Sequence, residues 1–82
     1  MIKATVTGRI WSSKKVAEVP AGSILEVRIE GSTATMLAFD PLGCGIGEVV
    51  MIATGSVAAA WFGGKSPPID ALIIGSIDEP TN

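Results

Sequence analysis

Residues 40–53 read Asp-Pro-Leu-Gly-Cys-Gly-Ile-Gly-Glu-Val-Val-Met-Ile-Ala, and the fold class turns on whether this run is a phosphate loop opening a helix or a tight loop opening a strand. A dinucleotide fingerprint needs G-x-G-x-x-G between strand and helix, so that the helix N-terminus meets the pyrophosphate. Counted from Gly43, the third glycine position falls on Glu48, and counted from Gly45 it falls on Val50, so neither register fits. A Walker loop ends in Gly-Lys-Ser/Thr, and no lysine lies between Lys15 and Lys65. The run after the loop, Val49 to Ala53, is β-branched and apolar, which reads as a buried strand. Gly43, Gly45 and Gly47, at every second position, leave one side of an extended segment bare for close approach of another backbone. Glycine also tolerates φ > 0 where a loop bends sharply before re-entering a strand.

Outward from this segment the chain keeps reading as strands. Leu25, Val27 and Ile29 alternate with Glu26, Arg28 and Glu30, a strand with one apolar and one solvated face. Gly31-Ser32 predicts a two-residue hairpin loop into a strand from Thr33 to Phe39, which Asp40-Pro41 ends because proline has no amide to donate. Ile2 to Trp11 alternates loosely as a first strand, with Thr5, Thr7 and Arg9 opposite Val6 and Ile10, and runs into a Ser-Ser-Lys-Lys turn. Glu18 to Ser23, with Pro20 and Gly22, is turn chemistry.

Beyond Ala53, Thr54-Gly55-Ser56 predicts an N-capped short helix over the alanine-rich Val57–Phe62, stopped by Gly63-Gly64. Ser66-Pro67-Pro68 reads as a stiff connector, and Ile69 to Ile77 as a last strand whose apolar residues fall on both faces. One small barrel covers only its inner face, so the outer face of that strand is expected to meet a neighbouring subunit. The polar Asp-Glu-Pro-Thr-Asn tail is expected to fray. Together these elements predict an all-β domain: a five-stranded, partly open, OB-like β-barrel with one short helix.

Composition narrows the function. At 82 residues the chain is one domain, 1–82, small enough to be marginal alone. Its single cysteine and absent histidine remove disulfides and the usual metal ligands as staples. A hydrophobic share of 48% with a mean hydropathy of +0.51 is high for a monomer in which surface dominates. Association is the natural way to hide that surface. Membrane insertion is not expected, since each apolar run breaks well short of the roughly 20 residues a span needs. The opening residues lack the apolar block of a signal peptide, so the chain is expected to stay in the cytosol. A net charge of −2 with six scattered basic residues argues against nucleic acid.

Catalysis finds little support. Cys44 as a nucleophile would want a base, and the chain has no histidine. Asp40, Glu48, Asp70 and Asp78 offer carboxylates for acid and base roles, but a barrel this small leaves little room for a substrate cleft. Glu48 is expected instead to accept hydrogen bonds from glycine-loop amides or to pair with a basic side chain. Trp11 and Trp61 suit either the core or a subunit contact. No cofactor and no metal is expected.

The glycine segment G-x-G-x-G-E-x-V after an aspartate, the Gly55-Ser56 step, the stretch Pro68-Ile-Asp-Ala-Leu-Ile-Ile-Gly-Ser-Ile-Asp78 and the opening Val6-Thr-Gly-Arg-Ile-Trp-Ser-Ser-Lys-Lys15 together resemble the vertex proteins of bacterial microcompartments. That family includes the carboxysome, ethanolamine-utilisation and propanediol-utilisation pentamers, and the resemblance covers nearly the whole chain. It implies a cyclic homopentamer, a non-enzymatic shell component of an organelle in the bacterial cytoplasm, seated where five facets meet. The implied partners are copies of itself and the hexameric and pseudohexameric shell proteins. On this reading Gly43, Cys44, Gly45, Gly47, Glu48 and Ile73 lie at the subunit interface or near the axis. The chain departs from the family pattern at Cys44, where a residue such as alanine is common, at Ala59, where an arginine is usual, and over Val16–Ser23. The other functions its composition leaves are a small OB-like ligand- or nucleic-acid-binding module and a small hydrolase built on the carboxylates.

Overall fold

The computed structural model describes residues 1–12, 14–19, 21–63 and 68–78. The expected connector at Ser66-Pro67, the stop at Gly64, the Glu79–Asn82 tail and Pro20 of the second turn lie outside the described residues. Five strands form, β1 (Ile2–Ile10), β2 (Ser23–Ile29), β3 (Thr35–Asp40), β4 (Val49–Thr54) and β5 (Ala71–Ile77), with a short helix α1 (Ser56–Ala60) between β4 and β5. They pair in the order β1-β2-β3-β5-β4 and close, β4 returning to β1. The barrel is therefore closed, not partly open. One pair is parallel, β3 meeting β5 at Phe39↔Leu72, while the other neighbours, the closing β4–β1 pair included, are antiparallel. Full closure removes the free sheet edges that an open barrel of this size would expose.

Strict alternation fills the interior. Val6, Leu25, Val27, Val50, Ile52 and Ile73 point inward and are fully buried, with Ala4, Ala38 and Ala71 between them where the barrel is tight. At ~25 cal/mol per Å² of apolar area removed from water, this interior is the main source of the protomer's stability. A smaller cluster forms outside the sheet, where α1 lies against it: Phe39, Ala58 and Leu72 are buried there, with Phe62 and Ile69 packed on them. Phe39 and Phe62 meet edge to face at 5.4 Å.

That outer cluster changes the expectation for β5. Leu72, on the outer side of the strand, is covered by the protomer's own helix and not by a neighbour. The strand also carries a bulge. Met51 pairs with Gly75 and Ile52 with Ile73, which leaves Ile74 as the extra residue. Ile73 stays inside, whereas Ile74 is turned outward and is 39% exposed. A second bulge lies on β1, where Val6 pairs with Val27 and Gly8 with Glu26, leaving Thr7 unpaired.

Two local expectations are corrected. The β2–β3 loop is four residues, Glu30 to Thr33, because the Ile29 amide still donates to the Ala34 carbonyl at 3.0 Å. Ser32 sits inside this loop, and its hydroxyl accepts from the Ala34 amide at 2.9 Å, a bond a two-residue turn would not leave room for. Helix α1 starts from Gly55 with no side-chain cap, so Ser56 is its first residue and not its N-cap. The helix start is held from the backbone instead, Gly55 N–H donating to the Asp70 carbonyl at 2.8 Å.

Candidate assembly surface

The loop from Asp40 to Glu48 covers one end of the barrel, and two carboxylates give it its shape. Asp40 closes β3 and is buried. Its Oδ1 accepts from the Leu42 amide at 2.9 Å and its Oδ2 from the Cys44 amide at 2.7 Å. At the other end the Gly45 amide donates to Glu48 Oε2 at 2.5 Å, and the Glu48 amide returns a bond to the Gly45 carbonyl at 3.1 Å. The chain is then stitched to β1: Gly47 N–H donates to the Val6 carbonyl, and Val6 N–H to the Glu48 carbonyl, both at 2.9 Å. Glu48 thus binds a glycine-loop amide.

The segment is looped and not extended. Gly43 and Gly47 hold φ of 86° and 95°, a region that side-chain-bearing residues avoid. Gly45 lies outside that region, and a Cβ placed on it meets no atom within 4 Å. Nothing inside the protomer requires a glycine there. The turns push two apolar side chains into solvent, Leu42 and Ile46, the latter 68% exposed.

Cys44 points the other way. Its side chain joins the barrel core, and burial first, then the carboxylates of Asp40 and Glu48, push its thiol up to about 11. A thiol held protonated by its surroundings is the reverse of an activated nucleophile. Ile73 is likewise sealed in the core, so neither side chain has surface to offer a neighbour. The outward position on β5 is Ile74, which sequence reading missed because an unbroken apolar run does not show which of its alternate positions face inward.

Further apolar surface lies on α1. Val57 and Trp61, four residues apart on one face, are both exposed, and Trp61 rests edge-on against Phe62 at 5.1 Å. Neither tryptophan enters the core, Trp11 being 86% and Trp61 58% exposed. The carboxylates do not converge on a reaction centre. Asp40 and Glu48 are engaged by backbone amides. Glu48 and Asp78 share an open groove of about 300 Å³, while Asp70 lines a separate, mostly apolar cleft of about 160 Å³. Among the described residues no group of histidine, cysteine, aspartate or glutamate is placed to hold a metal ion.

What the arrangement offers is a rigid barrel with shaped, apolar protrusions. Comparison with known proteins agrees. A model of the ethanolamine utilisation protein EutN/carboxysome family matches residues 1–78. The bacterial microcompartment shell vertex protein PduN of Salmonella typhimurium is 30% identical over 84 residues, covering 92% of this chain and 92% of PduN. Among solved structures, the pentameric shell protein of the RMM microcompartment is 57% identical, covers 100% of this chain and 98% of its own, and superposes with a TM-score of 0.92. CcmL of Gloeobacter violaceus is 28% identical, with 100% and 90% covered and a TM-score of 0.88. A match running from the first strand through the last, over residues 1–78, places the chain in the ethanolamine utilisation protein EutN/carboxysome family.

Proposed function

We propose that five copies of this chain close into a ring that plugs the vertices of a bacterial microcompartment shell. One observation carries the reading: a barrel whose interior is already full still presents Leu42, Ile46, Val57, Trp61 and Ile74 to water. Each such side chain, when fully covered, contributes roughly 1.5–3 kcal/mol. A cyclic ring covers them through a heterologous contact, one patch of each protomer on a different patch of the next, and closes without leaving an open end. The likeness at 57% identity to a shell protein described as pentameric supports five as the number.

The function is geometric. A sheet of six-fold tiles is flat, and closure into a polyhedron requires five-fold plugs. The chain's own part is to hold its protrusions rigidly, which the Asp40 and Glu48 clamps do. Hexameric tiles are the proposed neighbours in the shell, the bacterial cytoplasm its proposed location, and no reaction is assigned to the chain. In the ring, Gly43, Gly45, Gly47 and Glu48 lie at a contact between chains, with Cys44 beneath them. Gly45 supports this placement, since its missing side chain has no explanation inside the protomer.

Light scattering coupled to size exclusion tests the ring, with a mass of five protomers expected. Co-expression with hexameric shell proteins tests the plug. Shells made without this chain are expected to be open or elongated when seen by electron microscopy, and closed polyhedra in its absence would refute the vertex role.

A further inference from the structure

Past the Thr5↔Val49 pair β1 leaves β4 and continues against β2 to Ile10↔Ile24, so the β1–β2 hairpin runs on as an arm beyond the four-residue ladder with β4. The arm carries a cleft of about 230 Å³ lined by Arg9, Ile10, Trp11, Ser12, Lys15, Gly22, Ser23 and Ile24. Three properties separate it from the other apolar surface. Trp11 is the most exposed tryptophan of the chain at 86%. The walls beside it, Ile10 and Ile24, are apolar. Two of the chain's six basic residues line the cleft and no carboxylate does, in a protein of net charge −2. Neither Arg9 nor Lys15 forms an ion pair among the described residues, where the one salt bridge joins Lys3 to Glu30.

In the loop that follows, the Ser12 hydroxyl donates to the Lys14 carbonyl at 2.8 Å, and Val19 N–H to the Val16 carbonyl at 3.2 Å. The local charge opposes the global charge, so the cleft itself repels no acidic partner.

We propose that this cleft docks an acidic segment of another protein, an apolar side chain lying on Trp11 between Ile10 and Ile24 and flanking carboxylates meeting Arg9 and Lys15. Tryptophan and arginine are the residues on which interface energy concentrates, and carboxylates suit the arginine fork. Charge complementarity selects this occupant over the alternatives. A second copy of the chain carries exposed apolar and acidic side chains together at Ile46 and Glu48, where Glu48 is already engaged by the Gly45 amide of its own loop. A nucleic acid would want a track of cations and a series of stacking aromatics, whereas two cations and one ring are present. Docking in the cleft does not require the vertex role, but a ring would present five such clefts and bind a multivalent partner with added avidity.

The test uses the intact wild-type protein and a fluorescein-labelled peptide of glutamate and leucine residues, read by anisotropy. Saturable binding is expected, weakening steeply with added salt as surface charges are screened. Trp11→Ala is expected to weaken it about tenfold or more. The double variant Arg9→Ser with Lys15→Ser is expected to weaken it and flatten its salt dependence. These side chains are exposed, so the thermal transition and oligomer mass should stay as in wild type. A Trp11→Ala variant that binds the peptide unchanged overturns the proposal, as does equal binding of a lysine and leucine peptide. Tighter binding of oligo-dT would assign the cleft to nucleic acid instead, and loss of the oligomer in Trp11→Ala would make it a subunit contact.

Discussion

The inside and the outside of this barrel are built to different degrees of completeness. Inside, alternating side chains from all five strands meet, Leu25, Ile52 and Ile73 are sealed from water, and only Ile2 and Met36 at the margin of the cluster are partly exposed. Outside, a five-residue helix covers Phe39 and Leu72, and the apolar surface then continues uncovered through Val57, Trp61 and Ile74. The inner cluster can be finished by one chain. The outer one reaches its edge in the middle of a hydrophobic patch. A protomer of this kind can fold around its interior and still lack a complete exterior, so stability and assembly are assigned to opposite faces of the same strands.

The largest effect expected from breaking the inner half comes from Ile52→Ala, which opens a cavity where no strand can move in to fill it. A loss of about 2–5 kcal/mol is expected in urea denaturation, at every protein concentration. Leu72→Ala in the outer cluster is expected at the lower end of that range, because a short helix without a side-chain cap can settle into the space. Equal losses would make the outer cluster a core in its own right. By contrast, Val57→Ser combined with Ile74→Ser should leave the dilute protomer nearly unchanged and weaken the concentration dependence of the melting temperature that a ring of wild-type chains shows, as expected when only association is weakened.

Next in size is the clamp that joins the two halves. Asp40→Ala removes the acceptor of the Leu42 and Cys44 amides in a buried site, and about 1–3 kcal/mol is expected to be lost in the same assay. Glu48→Gln keeps an oxygen for the Gly45 amide in an exposed position, and should cost well under ~1 kcal/mol. If the two variants fall equally, burial is not what gives the Asp40 clamp its weight.

Much of this division is legible in the amino-acid sequence. The alternation of Leu25, Val27 and Ile29 names the inner face of β2 outright, and the glycine run leading into Val49–Ala53 separates loop from strand. The surplus of apolar residues announces an unfinished exterior. The details that escape are those in which a local rule is overridden by register. Leu72, Ile73 and Ile74 look alike in sequence, yet helix cover, core and solvent claim one each: alternation sets Leu72 and Ile74 outside and Ile73 inside, and an unbroken apolar run does not show which phase is the inner one. Gly31-Ser32 signals a two-residue turn, but the Ser32 hydroxyl finds the Ala34 amide and the loop widens to four. Glu48 as a partner of glycine amides is legible from spacing. The placement of Ile73 as a contact is not, since its outward neighbour differs from it in nothing but position.

Cys44 makes stability depend on pH at the alkaline end. Burial and the neighbouring carboxylates push its thiol up to about 11 in the folded protein, from 9.0 for an unperturbed cysteine. The folded value is the raised one, so the contribution is present in full below the unfolded value. It is lost as pH rises through the window from 9.0 to about 11, where the unfolded chain releases a proton that the folded chain keeps. A decline on the order of 2 kcal/mol is expected across that window, and Cys44→Ala should flatten it. Alkylation by iodoacetamide at pH 8 should likewise be slower than for a free thiol by about two orders of magnitude. A rapid reaction would show that the loop opens often enough to expose the thiol.

The smallest effect on the protomer is expected at Gly45, and it is the one that separates folding from assembly most sharply. Gly43 and Gly45 stand two residues apart in one loop, and a Cβ on either meets no atom of its own chain within 4 Å. They differ in backbone: Gly43 holds φ of 86°, while Gly45 is in a region open to any residue. Gly43→Ala should therefore cost roughly 1–2 kcal/mol through the left-handed conformation alone. Gly45→Ala should stay within about 0.5 kcal/mol of wild type in the dilute protomer. If the glycine is kept for the approach of a neighbouring chain, Gly45→Leu, equally free of clashes at its Cβ within the protomer, should leave a folded monomer on native mass spectrometry where wild type gives a ring. A Gly45→Leu variant that still assembles as a ring would mean that this stretch of loop faces solvent in the assembly, and the bare backbone would then need another cause.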